Sequence, residues 1–284
     1  MAGRPDEAER PLLQAFSEGP PEARALSGIH LADLWEAQGK REKAIQILVA
    51  VIDLPGQPHA QQAHLALGVL LQEIGEHEAS LEALSVACGG PDRTFTDLAK
   101  MSRGTLRHEI GDSAGAMAEL AELALSDSPY AGGAANCAAI VLWKEGKSEE
   151  AEEYYLRAIV SQNPDDRATA AMNLGMIQLD TGRAAEAKQT FLDGLASPTS
   201  DESALTFNLG LALYADGEFE AALDAFLAVW DGDDSTQAEK GAFNAAALLH
   251  ELGRASEARE AYGWVVSNGG EDLAEQARRM LADL

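Results

Sequence analysis

Three asparagines, Asn173, Asn208 and Asn244, stand 35 and 36 residues apart in a chain of 284, and Asn136 falls one residue out of their register. A side-chain amide carries two donors and an acceptor, so a row of them can pair with the main chain of an extended peptide whatever its sequence. Each such bond contributes about 1 kcal/mol net, so the row alone binds weakly.

Other chemistry is harder to assemble from these residues. Six histidines, His30, His59, His64, His77, His108 and His250, are scattered, and none forms the paired helical ligands with an acid that a zinc hydrolase needs. The run Asp231-Gly232-Asp233-Asp234-Ser235 resembles the start of a calcium loop. Thr236 occupies the place of its glycine and Ala242 that of its glutamate, so a helix cap is the reading. No glycine-rich phosphate loop or nucleophile elbow occurs. The residues therefore point to no catalytic centre, no metal and no cofactor.

The elements that carry the asparagines are marked by glycine. Gly39, Gly75, Gly111, Gly146, Gly182, Gly217 and Gly253 follow one another at 36, 36, 35, 36, 35 and 36 residues, each in a short polar turn. Such glycines end helices in the left-handed conformation, where a Cβ would clash. Seven residues before them stand Ala32, Gly68, Gly104, Ala139, Gly175, Gly210 and Ala246; five after them stand Ala44, Ser80, Ala116, Ala151, Ala187, Ala222 and Ala258. These small residues can face one another across a helical hairpin. Nine after the glycines come Leu48, Leu84, Leu120, Tyr155, Phe191, Phe226 and Tyr262, large knobs for the space between hairpins. Pro55, Pro91, Pro129, Pro164 and Pro198 punctuate the ends of the second helices.

This pattern of small, small, large and proline resembles the tetratricopeptide repeat family over roughly residues 22–269. The resemblance implies an all-α, right-handed superhelical solenoid of seven helix-turn-helix repeats, preceded by a tail at 1–21 able to dock on the first repeat. A capping helix follows at 270–284, where Leu273, Ala277, Met280 and Leu284 keep helical spacing. Two first helices depart from the family pattern, with Arg103 and Ala138 where leucine is usual, so those units are expected to pack less regularly.

The resemblance also implies a concave groove lined by the first helices, with inward positions thirteen, ten, nine, six, three and two residues before each turn glycine. Asn173, Asn208 and Asn244 fall nine before; Met172, Phe207 and Phe243 ten before; Met176 and Leu211 six before; Tyr214 three before. With Asn136 these form the candidate peptide-binding groove. Two readings stand side by side, in which the asparagines grip a peptide or tie neighbouring first helices together, and the apolar residues form an interface or ordinary core. Toward the N-terminus the groove carries Asp33, Glu36, Glu73 and Glu109 among Ile29, Leu65 and Met101, which suits a partner with basic residues. A carboxylate-based enzyme would require those acids to be deeply buried with shifted titration.

Composition narrows the partners. Lysine and arginine number 21 against 47 aspartates and glutamates, a net charge of −26, which repels nucleic acid. The same acidity also serves as a solubilising outer surface. The N-terminus has no signal-peptide core, and no apolar run approaches the roughly 20 residues that span a bilayer. Cys88 and Cys137 read as buried thiols in a reducing cytoplasm. The sequence thus describes a cytoplasmic, non-catalytic scaffold or adaptor that binds an extended segment of another protein, without nucleic acid or membrane. A self-associating structural subunit and a regulator of a neighbouring enzyme or transcription factor are the alternatives.

Overall fold

The computed structural model describes residues 5–56, 59–196, 198–199 and 201–284. Among them lie sixteen α-helices and no strand. The chain divides into two compact units, one ending at Gly146 and the other beginning at Lys147, so the boundary falls in the fourth turn.

The first unit contains α1 (Pro5–Glu18), α2 (Pro21–Ala37), α3 (Arg41–Ile52), α4 (Ala60–Glu73), α5 (His77–Cys88), α6 (Arg93–Glu109), α7 (Ser113–Ala124) and α8 (Ala131–Lys144). The second contains α9 (Ser148–Ile159), α10 (Pro164–Asp180), α11 (Ala184–Gly194), α12 (Glu202–Ala215), α13 (Phe219–Trp230), α14 (Ser235–Glu251), α15 (Ala255–Asn268) and α16 (Glu271–Ala282). Within each unit consecutive helices pack as antiparallel neighbours, and first helices of successive repeats lie side by side.

Each turn glycine has positive φ, from 71° at Gly39 to 89° at Gly111. At Gly39 the chain closes with Gly39 N donating to Glu36 O at 2.8 Å and Lys40 N to Trp35 O at 2.7 Å. The second bond satisfies a carbonyl that the helix end would otherwise orphan. It recurs from Glu76 to Leu71, Asp112 to Arg107, Arg183 to Gln178, Glu218 to Leu213 and Arg254 to Leu249. Asp234 accepts from Thr236 N at 3.0 Å and Gln237 N at 3.1 Å, and so caps α14.

The small positions serve the hairpin interior. A Cβ at Gly175 would lie 2.4 Å from the Phe191 ring, one at Gly210 2.6 Å from Phe226, and one at Gly68 2.6 Å from Leu84. The knob therefore seats first on the small residue of its own hairpin, a closer relation than filling space between hairpins. Ser80 Oγ also donates to Gly68 O at 2.6 Å, so the two small positions do meet across the turn.

Helix α1 occupies the stretch that reads as a tail. Pro11 lies inside it and removes a main-chain donor, which by itself disfavours a helix there. Tertiary packing outweighs that cost. Leu12 and Phe16 join the core of the first hairpins, and a Cβ on Gly28 would stand 3.1 Å from the Phe16 ring. Trp35 Nε1 donates to Glu9 at 3.1 Å and Arg24 Nε to Phe16 O at 2.8 Å. At the other end α16 buries Ala274 and Ala277, with Leu273 and Met280 packed beside the last hairpin.

Arg103 does not loosen the α6/α7 hairpin. It donates to Glu119 at 2.9 Å across the hairpin and to Ser85 Oγ at 3.1 Å, so an ion pair replaces the apolar contact. Ala138 is completely buried. Cys88 and Cys137 are half-buried rather than buried, and partial burial pushes the Cys88 thiol up.

Candidate functional site: the faces of the first helices

In the second unit the first helices α10, α12 and α14 stand in series, and Asn173, Asn208 and Asn244 occupy one register on them, each half-buried. Two of the amides spend hydrogens locally. Asn208 Nδ2 donates to Ala204 O at 2.9 Å and approaches Met172 Sδ at 3.0 Å, the latter a tie between α12 and α10. Asn244 Nδ2 donates to Lys240 O at 2.9 Å. The group Asn208 still offers is its carbonyl oxygen, while Asn244 keeps an oxygen and one N–H.

The apolar residues of this face divide by depth. Phe207 stacks at 5.7 Å on the knob Phe226, and Phe243 meets the knob Tyr262 edge-on at 5.6 Å, so both back the core. Leu211 packs partly buried beside the same α12/α13 cluster. Met176 and Tyr214 are 38% and 42% exposed. Tyr214 donates to Glu251 at 2.9 Å, which reaches from α12 to α14 and raises the phenol above its usual range. Its ring leans on Phe219 at 5.5 Å.

Glu251 and Phe219 escaped the sequence reading. Phe219 carried a signal, because the corresponding turn position is Arg41, His77, Ser113, Ser148, Ala184 or Ala255 in the other repeats. Gln178 and Thr190 were also missed. They are buried across the α10/α11 hairpin, with Thr190 Oγ1 donating to Gln178 Oε1 at 2.7 Å.

Asn136 belongs to the first unit, buried in α8. There the first helices α2, α4, α6 and α8 present Asp33, Glu36, Glu73 and Glu109 with exposed Leu26, Val69 and Trp143. Asp33, Glu36 and Glu73 line a recess of about 460 Å³ together with Arg41. Arg41 pairs with Glu73 at 3.5 Å, and Gln72 donates to Glu109 at 2.8 Å. Partial desolvation, then the charges of Glu73 and Asp33, hold the Glu36 carboxyl above the usual glutamate value, with Arg41 opposing. The Asp33 and Glu73 side chains are 66% and 40% exposed, so these carboxylates stand on an open rim.

A larger recess of about 680 Å³ lies off this face, between Gln61, His64, Val86 and Phe95. Gln61 Nε2 there donates to Ala87 O and Asp92 O, both at 2.9 Å, and its oxygen accepts from Asp92 N, so it fastens α4 to the loop before α6. We assign that recess to loop anchoring. Among the described residues no group of three or more His, Cys, Asp or Glu could hold a metal ion, and no helix is long and apolar enough to cross a membrane.

The sequence profile of the tetratricopeptide repeat matches residues 30–93 and 138–202. No curated protein matches the chain in sequence. Solved structures share its fold. The C-terminal part of a TPR repeat-containing protein from Cytophaga hutchinsonii superposes with a TM-score of 0.61 at 12% identity, covering 87% of this chain and 98% of that one. The apo form of the quorum sensor NprR from B. thuringiensis gives 0.59 at 13% identity, over 93% and 82% of the two chains. PilF of Pseudomonas aeruginosa gives 0.54 at 18% identity, over 78% and 98%. At these identities the likeness is one of fold.

Proposed function

Since the chain is a tetratricopeptide-repeat protein, and such repeats are scaffolds for contact with other proteins, we propose that the face of α10, α12 and α14 binds an extended segment of a partner protein. One observation carries this reading. Exposed Met176 and Tyr214 stand beside half-buried amides that recur in one register on three consecutive first helices.

The local bonds of Asn208 and Asn244 sharpen the roles. Their oxygens accept main-chain N–H groups of the segment, while Met176 and Tyr214 supply contact area that adapts to its side chains. Phe207 and Phe243 act from behind as a rigid floor. No step of catalysis enters this role.

The test is a selection of random ten-residue peptides on the purified chain, followed by the variant Asn173→Ala/Asn208→Ala/Asn244→Ala. Three lost bonds at about 1 kcal/mol each weaken the selected peptides by about a hundredfold, with the circular dichroism of the helices unchanged. Equal affinity for the folded variant overturns the reading.

A further inference from the structure

We infer that the second helices α9 and α11 form a self-complementary face on which two copies of this chain associate about a two-fold axis. The face lies on second helices, apart from the asparagine register, and does not rest on the role given to the first helices.

Helices α9 and α11 run parallel, since each is antiparallel to α10, and Arg183 at the entry to α11 donates to Glu152 of α9 at 2.9 Å. Ten residues after their turn glycines stand Leu156 and Leu192, 55% and 44% exposed; eleven after stand Arg157 and Asp193, both exposed. Val160, at the end of α9, is 75% exposed, and its counterpart past α11 is exposed Ala196. Three aliphatic side chains so placed gain by leaving water. Arg157 pairs with no carboxylate among the described residues, and Asp193 accepts from Gln189 at 2.9 Å without a cation. Across the seven repeats Arg157 is the one cation at either of these two positions.

Opposite charges at one register on two parallel helices identify the occupant as a second copy. A two-fold axis running between α9 and α11, along their direction, lays α9 of one copy on α11 of the other at the same height. Leu156 then meets Leu192, Arg157 meets Asp193, Val160 meets Ala196 and Glu153 meets Gln189, each meeting occurring twice. Glu150 meets Glu186 at the rim, where Arg183 already answers Glu186 at 3.5 Å. The aliphatic core is small, so the dimer is weak and concentration-dependent. Each copy carries −26, a repulsion that salt screens beyond about 8 Å at physiological strength, so association strengthens between low and physiological salt.

The test is sedimentation velocity of the whole chain over a wide concentration range at physiological salt. A monomer–dimer equilibrium is expected. Arg157→Asp or Asp193→Arg sets like charges face to face twice and weakens it by about tenfold or more. Because the contact is reciprocal, an equimolar mixture of those two variants forms a heterodimer, and the double variant Arg157→Asp/Asp193→Arg dimerises again. Both residues are exposed, so these variants keep the helical circular dichroism of the unaltered chain. Leu156→Ser/Leu192→Ser abolishes the dimer. A monomer at every concentration overturns the inference, as does a dimer that neither single charge variant weakens or that the mixture fails to restore. The triple asparagine variant dimerises as the unaltered chain does, so failure here and failure of the peptide-binding reading are separable.

Discussion

The two units use the same repeat positions with side chains of different size. In the first unit the knobs are Leu84 and Leu120, seated on Gly68 and Gly104; in the second they are Phe191 and Phe226, seated on Gly175 and Gly210. A ring of that size projects beyond its own glycine, and in the last two repeats a second ring from the preceding first helix meets it, Phe207 on Phe226 and Phe243 on Tyr262. The residue ten before the turn glycine is floor in both units, since Ile29 is buried and Leu65 packs against the cluster that holds Leu84. In the first unit the character of the face comes instead from carboxylates and exposed aliphatic groups. One backbone plan supports both because the hairpin interior is satisfied by paired volumes, not by particular residues.

The largest expected effect breaks this comparison at the knob. Phe226→Ala leaves a ring-sized void over Gly210 and costs about 3–5 kcal/mol, against about 2–5 kcal/mol for Leu84→Ala over Gly68. The decisive quantity is coupling, read from double-mutant cycles in denaturant. Phe226 with Phe207 is expected to show about 0.5–1.5 kcal/mol from the ring pair, and Leu84 with Leu65, lacking that geometry, less. Equal coupling would mean the rings act only as volume.

A smaller effect sharpens the picture of the last knob. The Tyr262 hydroxyl is buried without a hydrogen-bond partner, and burial pushes the phenol up. Tyr262→Phe keeps the edge-on contact with Phe243 and removes a desolvated hydroxyl, so stability should rise by about 1 kcal/mol in thermal melts. A fall would reveal a partner for the hydroxyl.

The smallest effect belongs to the acidic face. Because the Glu36 carboxyl sits above its usual value in the fold, the folded state holds more proton than the unfolded one between the two values. Stability then falls as pH rises through that window, and the loss persists at neutral pH. Glu36→Gln should raise the melting temperature slightly at neutral pH and leave it unchanged below the ordinary glutamate range. The group is largely exposed, so salt should shrink the difference.

Much of this was legible along the chain, for local reasons. A left-handed turn position admits glycine at little cost, so the glycines fell at the hairpin turns, and counting back from them located the faces. Asp234 read as a cap because capping is decided within three residues. Arg103 read as a defect because its partner, Glu119, lies sixteen residues away on the other arm of the hairpin. The docked stretch before the first repeat is helical from Pro5 to Glu18 for a similar reason. Pro11 weakens helix α1 locally, while Phe16 against Gly28 and Glu9 against Trp35 stabilise it from outside.

What the sequence alone determined is the period, the hairpin, the small-to-large pairing and the list of residues on the first-helix faces, because each follows from backbone sterics or helical spacing. Only the tertiary structure decided how deep those residues lie. It turned Phe207 and Phe243 into floor, left Met176, Tyr214 and Trp143 open, spent one hydrogen each of Asn208 and Asn244 on their own helices and another of Asn208 on Met172, and gathered Asp33, Glu36 and Glu73 around one recess. Depth depends on the volume and charge of neighbours on other helices of the same or the next repeat, and a pattern read along a single helix does not contain them.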